Sequence, residues 1–155
     1  MKKIITNNEK ETFDFGLQLG RSCRGGEVFA LCGDLGAGKT RLLQGLAQGL
    51  GVTRRVNSPT FNILKIYHIS GGDRKITDFC HIDAYRLKSA ADLEALGIAE
   101  YLNSSNTVTA IEWAEKVKKI WSPKTAVIKI KQLSETTREI TYFLSSTRLK
   151  SKPRR

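Results

Sequence analysis

Several absences narrow what this chain can be. No window of its 155 residues approaches the roughly 18 uninterrupted apolar residues that a membrane-spanning helix needs. The three cysteines, Cys23, Cys32 and Cys80, contain no CxxC pair. Their odd number and wide spacing argue against a disulfide framework or a zinc site, and buried thiols in a reducing compartment are expected instead. The two histidines, His68 and His81, lie 13 residues apart without the HxxxH spacing of paired metal ligands. The opening "MKKIITNNEKE" turns polar after Ile5 and has neither the apolar core nor the cleavage site of a secretory signal. No export is therefore expected, and the cytoplasm is the expected compartment. No internal repeat or interdomain linker interrupts the chain.

What is present suits one globular domain. Hydrophobic residues make up 40% of the chain and charged residues 26%, enough of each for a packed core and a solvated surface. The net charge of +11 hints at a nucleic-acid or acidic-protein partner and says nothing about chemistry. Five basic residues and no acid fall in the last eight, "RLKSKPRR". That segment, 148–155, is expected to be a disordered tail on a domain spanning 1–147.

The pattern along the chain mixes strands with helices. "KII" reads as a strand, and "TNNE", Thr6 to Glu9, has the form of a capping box for a helix carrying Phe13, Leu17 and Gly20 on one face. "EVFALC" suits a buried strand. "TRLLQGLAQGLG" places Leu42, Leu43, Leu46 and Leu50 on one helical face and stops at Gly51. "FNILKIYHI" and "ITDFCHID" flank a Gly-Gly turn and predict an antiparallel hairpin. "SAADLEALG" begins with a serine cap, "VTAIEW" is a short strand, and "AEKVKKIW" is helical. "AVIKIKQL" and "REITYFL" form two strands joined by "SETT". The sum is an α/β fold with a mixed parallel and antiparallel central sheet flanked by helices.

Chemistry concentrates in "GDLGAGKT". Gly33-Asp34-Leu35-Gly36-Ala37-Gly38-Lys39-Thr40 fits G-x-x-x-x-G-K-[ST], the phosphate-binding P-loop. Several backbone N–H groups must face one anion there, in torsions that side chains obstruct. The loop opens onto a helix whose first N–H groups and dipole favour negative charge. Lys39 would reach the β- and γ-phosphates, and the Thr40 hydroxyl would hold Mg²⁺. Hydrolysis or transfer also needs a carboxylate near the metal or the attacking oxygen. Two strands end in one: "FCHID" in Asp83 and "VTAIE" in Glu112. Strand-end acids lie where α/β sheets bind ligands. Thr60, in "SPTF", stands where P-loop GTPases keep a threonine that senses the γ-phosphate, although spacing alone favours an ordinary turn with a packed Phe61.

In order, "GDLGAGKT", "SPTF", "HIDAYRL" and "IEW" resemble the signature set of the TsaE family, also called YjeE. "KETFDFGLQLG" resembles the "ET" segment that precedes it, so the match runs from about Glu11 to Trp113. The resemblance implies a single P-loop NTPase-like domain that binds ATP or ADP with Mg²⁺. It implies a weak ATPase needed for N6-threonylcarbamoyladenosine in tRNAs that read codons starting with A. Its partners would be TsaD and TsaB, with tRNA met through their complex and direct contact open. It would be a monomer when alone. Carried onto this chain, Gly33 to Thr40 cradle the phosphates, Thr40 and Glu112 hold the metal, and Asp83 orients the attacking water. The two acids' roles are not separable by sequence. Thr60 becomes the switch threonine. Trp113 lies beside the site, Thr12 touches base or sugar, and Arg138 is a further contact to nucleotide. Arg41 departs from the small hydroxyl common after "GKT" and is expected to point to solvent. Two other classes stay open: a P-loop small-molecule kinase, with "VTRRVN" supplying lid arginines, and a nucleic-acid binder driven by charge. No N-K-x-D guanine-reading motif is present, and no aromatic-and-basic motif supports the binder.

Overall fold

Strands covered on both faces make the centre of a sheet, and the strand β5 (Thr107–Glu112) is buried at every residue, its polar Thr107, Thr109 and Glu112 included. In this computed structural model, which describes residues 1–58, 61–72 and 74–144, β5 lies between two parallel neighbours. These are β2 (Val28–Cys32) and β4 (Asp78–Asp83), and β6 (Ala126–Gln132) runs parallel on the far side of β2. Antiparallel strands close both sides: β3 (Leu64–His68) pairs with β4, β7 (Arg138–Leu144) with β6, and β1 (Lys2–Thr6) with β7. The seven-stranded order is β1-β7-β6-β2-β5-β4-β3, the mixed sheet that the sequence predicts, with the expected hairpin formed by β3 and β4.

Alternation along the strands divides the core in two. Phe29 and Leu31 of β2 face α1 (Glu9–Ser22) and α2 (Lys39–Leu50), among Leu42, Leu43 and Leu46. Ala30 and Cys32 face the opposite layer, built from α3 (Ala90–Glu94), α4 (Ala99–Leu102) and a 3₁₀ stretch over Ala114–Ile120 that kinks at Val117. The serine cap expected at Ser89 forms, and it is a capping box with Asp92 as its acid. The four residues of α4 are too few to leave a periodic signal. The expected tail at 148–155 lies outside the described residues.

The first helix starts later than the sequence suggests. Its cap is Asn8, whose side chain accepts from Glu11 N at 2.9 Å, while Glu11 accepts from Asn7 N at 2.7 Å. Thr6 is unavailable for capping because it ends β1 opposite Arg138 and bonds Thr12 through its hydroxyl at 2.8 Å.

The two long helices cross with their backbones touching. A Cβ on Gly16 would fall 2.0 Å from Leu42 O and one on Gly20 2.1 Å from Leu46 O. From the other side, a Cβ on Gly45 would fall 2.0 Å from Phe13 O and one on Gly49 2.3 Å from Leu17 O. No side chain fits at any of the four positions. The crossing holds α2 against α1, and so fixes the direction in which the first turn of α2 points.

The three cysteines are free and buried, and burial pushes each thiol up to about 12 from an ordinary 9.0. A thiol of that pKa is ionised to about one part in ten thousand at pH 8, so the folded protein should resist thiol reagents that label all three sites after unfolding. Because the folded pKa values lie above the unfolded ones, the unfolded chain loses these protons first as pH rises. Their stabilisation is complete below about pH 9 and is lost progressively towards pH 12, which denaturant titrations across that range would show. Rapid labelling of the folded protein at pH 8 would contradict this.

Candidate functional site

The loop between β2 and α2 has the torsions that its glycines predict. Gly33, Gly36 and Gly38 stand at φ of +150°, +77° and +106°. A Cβ on Gly33 would lie 2.4 Å from Ile130 O, whereas one on Gly36 would meet nothing within 4 Å. Gly33 is therefore required for packing against β6, and Gly36 for its torsion. Gly38 caps α2 with left-handed backbone, leaving the N–H groups of the first turn free to face an anion. Arg138 braces the loop from the start of β7: its Nε donates to Ala37 O at 3.0 Å. It thus holds the phosphate loop's backbone rather than standing free in solvent.

Lys39 folds back into the loop. Its ammonium donates to Gly33 O at 2.6 Å and Asp34 O at 2.8 Å, and lies 3.8 Å from the centre of the Trp113 ring. Burial lowers its pKa, against the pull of Glu112, Glu115, Asp34 and Asp83. A buried cation held this way gains from an arriving phosphate.

The two strand-end acids meet because β4 and β5 are in register, Asp83 opposite Glu112. Glu112 is 2% exposed, and Thr40 Oγ1 donates to its Oε2 at 2.9 Å. Its other oxygen, Oε1, accepts from His81 Nε2 at 2.9 Å. Asp83 is more open. Its Oδ2 accepts from Ser58 Oγ at 2.6 Å and its Oδ1 from Tyr85 N at 2.9 Å. Ser58, the first residue of the second motif, is tied to the acid by that hydrogen bond. Thr60 itself lies outside the described residues. Phe61, expected to pack within the turn, is 90% exposed.

Trp113 has φ +55°, the only positive φ among the described non-glycine residues. That torsion is costly for a bulky side chain and turns the chain sharply after Glu112. The ring lines the cleft, between Lys39 and Tyr85, whose ring centre is 5.0 Å away. Thr12 is buried with its hydroxyl on Thr6. It lines a small recess beside Gly36, Gly38 and Arg138, rather than the main cleft. Arg41 does not point freely to solvent. It is half-buried over the Phe13 ring at 4.7 Å and donates to Gln44 Oε1 at 3.2 Å.

A cleft of about 590 Å³ runs from Leu35 and Gly36 past Lys39, Thr40 and Arg41 to Asp83, Arg86, Glu112 and Trp113. Leu35 at the loop tip is 82% exposed. Among the described residues no cluster of three or more His, Cys, Asp or Glu could hold a metal ion. A hydroxyl and a carboxylate meeting at 2.9 Å do fit Mg²⁺, which takes oxygen ligands and fills its shell with water and substrate phosphate. Sequence reasoning missed His81, Ser58 and Tyr85. His81 alone left a signal, since it precedes Asp83 by two residues and so shares its face of the strand.

A parallel strand feeding a glycine loop and helix, with acids at the ends of two adjoining strands, defines a P-loop NTPase-like fold. Comparison with known proteins agrees. A family profile described as "Threonylcarbamoyl adenosine biosynthesis protein TsaE" matches residues 6–140. The chain is 37% identical over 140 residues to the tRNA threonylcarbamoyladenosine biosynthesis protein TsaE of Bacillus subtilis, covering 90% of this chain and 84% of that one. It is 35% identical over 139 residues to the TsaE protein of Treponema pallidum, covering 90% and 98%. The crystal structure of Bacillus subtilis YdiB superimposes with a TM-score of 0.73 at 33% identity, covering 92% of this chain and 84% of that one. The chain belongs to the TsaE family, whose members are named for threonylcarbamoyladenosine biosynthesis. Among the described residues no helix is long and apolar enough to cross a membrane.

Proposed function

We propose that this chain is a Mg²⁺-dependent ATPase that supports N6-threonylcarbamoyladenosine formation in tRNAs reading codons that start with A. It acts in the cytoplasm with the TsaD–TsaB complex and allows that complex to turn over repeatedly. tRNA is met through the complex. The observation that carries this reading is the meeting of Thr40 and Glu112 at 2.9 Å at the mouth of the phosphate loop, with Asp83 alongside in register.

The backbone of Gly33 to Thr40 binds the phosphate chain. Lys39 gives up a carbonyl partner to reach the β/γ oxygens, where developing charge needs a cation. Thr40 and Glu112 would hold Mg²⁺, which supplies charge neutralisation on those oxygens. Asp83 keeps its carboxylate aimed by Ser58 and Tyr85 N, and orients the water that attacks the γ-phosphorus as the bond to ADP breaks. The motif threonine, Thr60, keeps the role of switch threonine that the family resemblance implies. Trp113 and Tyr85 wall the cleft against bulk water. Arg54 and Arg55 line a separate depression with Gln44 and Val56, so they give the kinase reading no lid over this cleft.

Phosphate release from ATP and Mg²⁺ tests the proposal. A low rate for the chain alone that climbs when TsaD, TsaB and tRNA are added is expected. A rate indifferent to those partners would contradict it.

A further inference from the structure

His81 is fully buried, on the third residue from the end of β4. Phe79, His81 and Asp83 alternate along one face of that strand, opposite Val108, Ala110 and Glu112 of β5. This is the face that α2 covers. The imidazole therefore lies in the sheet directly beneath the two acids, with its plane 17° from that of the Phe79 ring. Its Nε2 donates to Glu112 Oε1 at 2.9 Å, and its Nδ1 is buried with no hydrogen-bond partner among the described residues. An apolar side chain would fill such a position without leaving a buried nitrogen unpaired, so packing does not account for histidine here. The bond to Glu112 does.

We infer that His81 is a positioning residue: by holding Glu112 Oε1 from below, it turns Oε2 towards Thr40 and fixes the carboxylate in the rotamer that receives the metal. Glu112 has no second donor among the hydrogen bonds of the described residues on that oxygen. Without His81 only Thr40 holds the carboxylate, whose last torsion is soft. The inference rests on the reading of Thr40 and Glu112 as the metal pair. Partners that orient a ligating carboxylate act on metal affinity, rather than on the fold alone.

The test compares three substitutions by the affinity of a fluorescent ATP analogue, measured with Mg²⁺ and again in EDTA. His81→Leu removes the donor. His81→Asn keeps an amide but is too short to reach Glu112. His81→Gln places an amide nitrogen near the position of Nε2. His81→Leu and His81→Asn should lose about tenfold or more of the Mg²⁺-dependent gain in affinity, with affinity in EDTA unchanged, and His81→Gln should restore it. If His81→Leu does not fold, the contrast between Asn and Gln decides. Equal Mg²⁺ dependence in Asn, Gln and wild type overturns the inference, as does equal loss with and without metal. Glu112→Gln, run alongside, separates the two claims. If it abolishes the Mg²⁺ gain while His81→Asn leaves it intact, only the role of His81 fails. If Glu112→Gln also leaves the gain intact, the metal pair itself is wrong.

Discussion

Lys39→Met lowers phosphate release from ATP by about 10²–10³-fold, the loss expected when one preorganised charge donor is removed from a transition state. Methionine keeps an unbranched stem of similar length and removes the ammonium, together with its contacts to Gly33 O, Asp34 O and the Trp113 ring. The loss should fall on turnover and on affinity together, because in the proposed mechanism Lys39 meets the β-phosphate in the ground state and the γ-phosphate as charge develops. The fold should hold. Deleting the ammonium leaves two carbonyls, Gly33 O and Asp34 O, without that donor, but Gly33 is half-buried and Asp34 exposed, so water can replace it. Circular dichroism should be unchanged while phosphate release collapses. A folded Lys39→Met protein with wild-type release would remove the lysine from the mechanism.

Gly45→Ala should produce the largest effect on stability. Its Cβ would stand 2.0 Å from Phe13 O and 2.9 Å from Leu17 N, both backbone atoms that no rotamer change can move. Overpacking of this kind costs about 3 kcal/mol. For a chain of this size that corresponds to a fall in Tm of about 6–12 °C. Gln48→Ala, on the exposed side of the same helix, should stay within about 0.5 kcal/mol of wild type. Glycine normally weakens a helix interior, yet here replacing it with the best helix former should do harm. The damage should reach the site as well, since α2 carries Lys39 and Thr40 at its first turn. Comparable melting of the two variants would mean that the helices do not cross as described.

The parts of the site legible in the sequence are those whose chemistry demands contiguity. A phosphate loop must place its N–H groups within a few residues, so "GDLGAGKT" announces itself. Asp83 and Glu112 were readable because a strand's end is visible from its apolar run, and the family resemblance joined them to the loop. Other parts depend on register and on distance along the chain. Arg138 reaches Ala37 across 101 residues, and nothing local marks it as a brace. His81 acts through a neighbouring strand, and only the pairing of β4 with β5 puts it under Glu112. The glycines of α1 and α2 look like helix weaknesses until the crossing shows that each makes room for the other helix's backbone. The late start of α1 has a similar origin. Thr6 and Asn8 each precede an acid by three residues, and pairing of β1 with β7 claims the first.

The central claim is that nucleotide hydrolysis in this cleft renews the modification complex. The most direct measurement counts threonylcarbamoyladenosine formed per TsaD–TsaB complex in a reconstituted reaction with excess tRNA. The account predicts repeated rounds with the wild-type chain and ATP, and a halt after the first with Lys39→Met or a non-hydrolysable ATP analogue. Repeated rounds with the chain left out, or with Lys39→Met in its place, would contradict it.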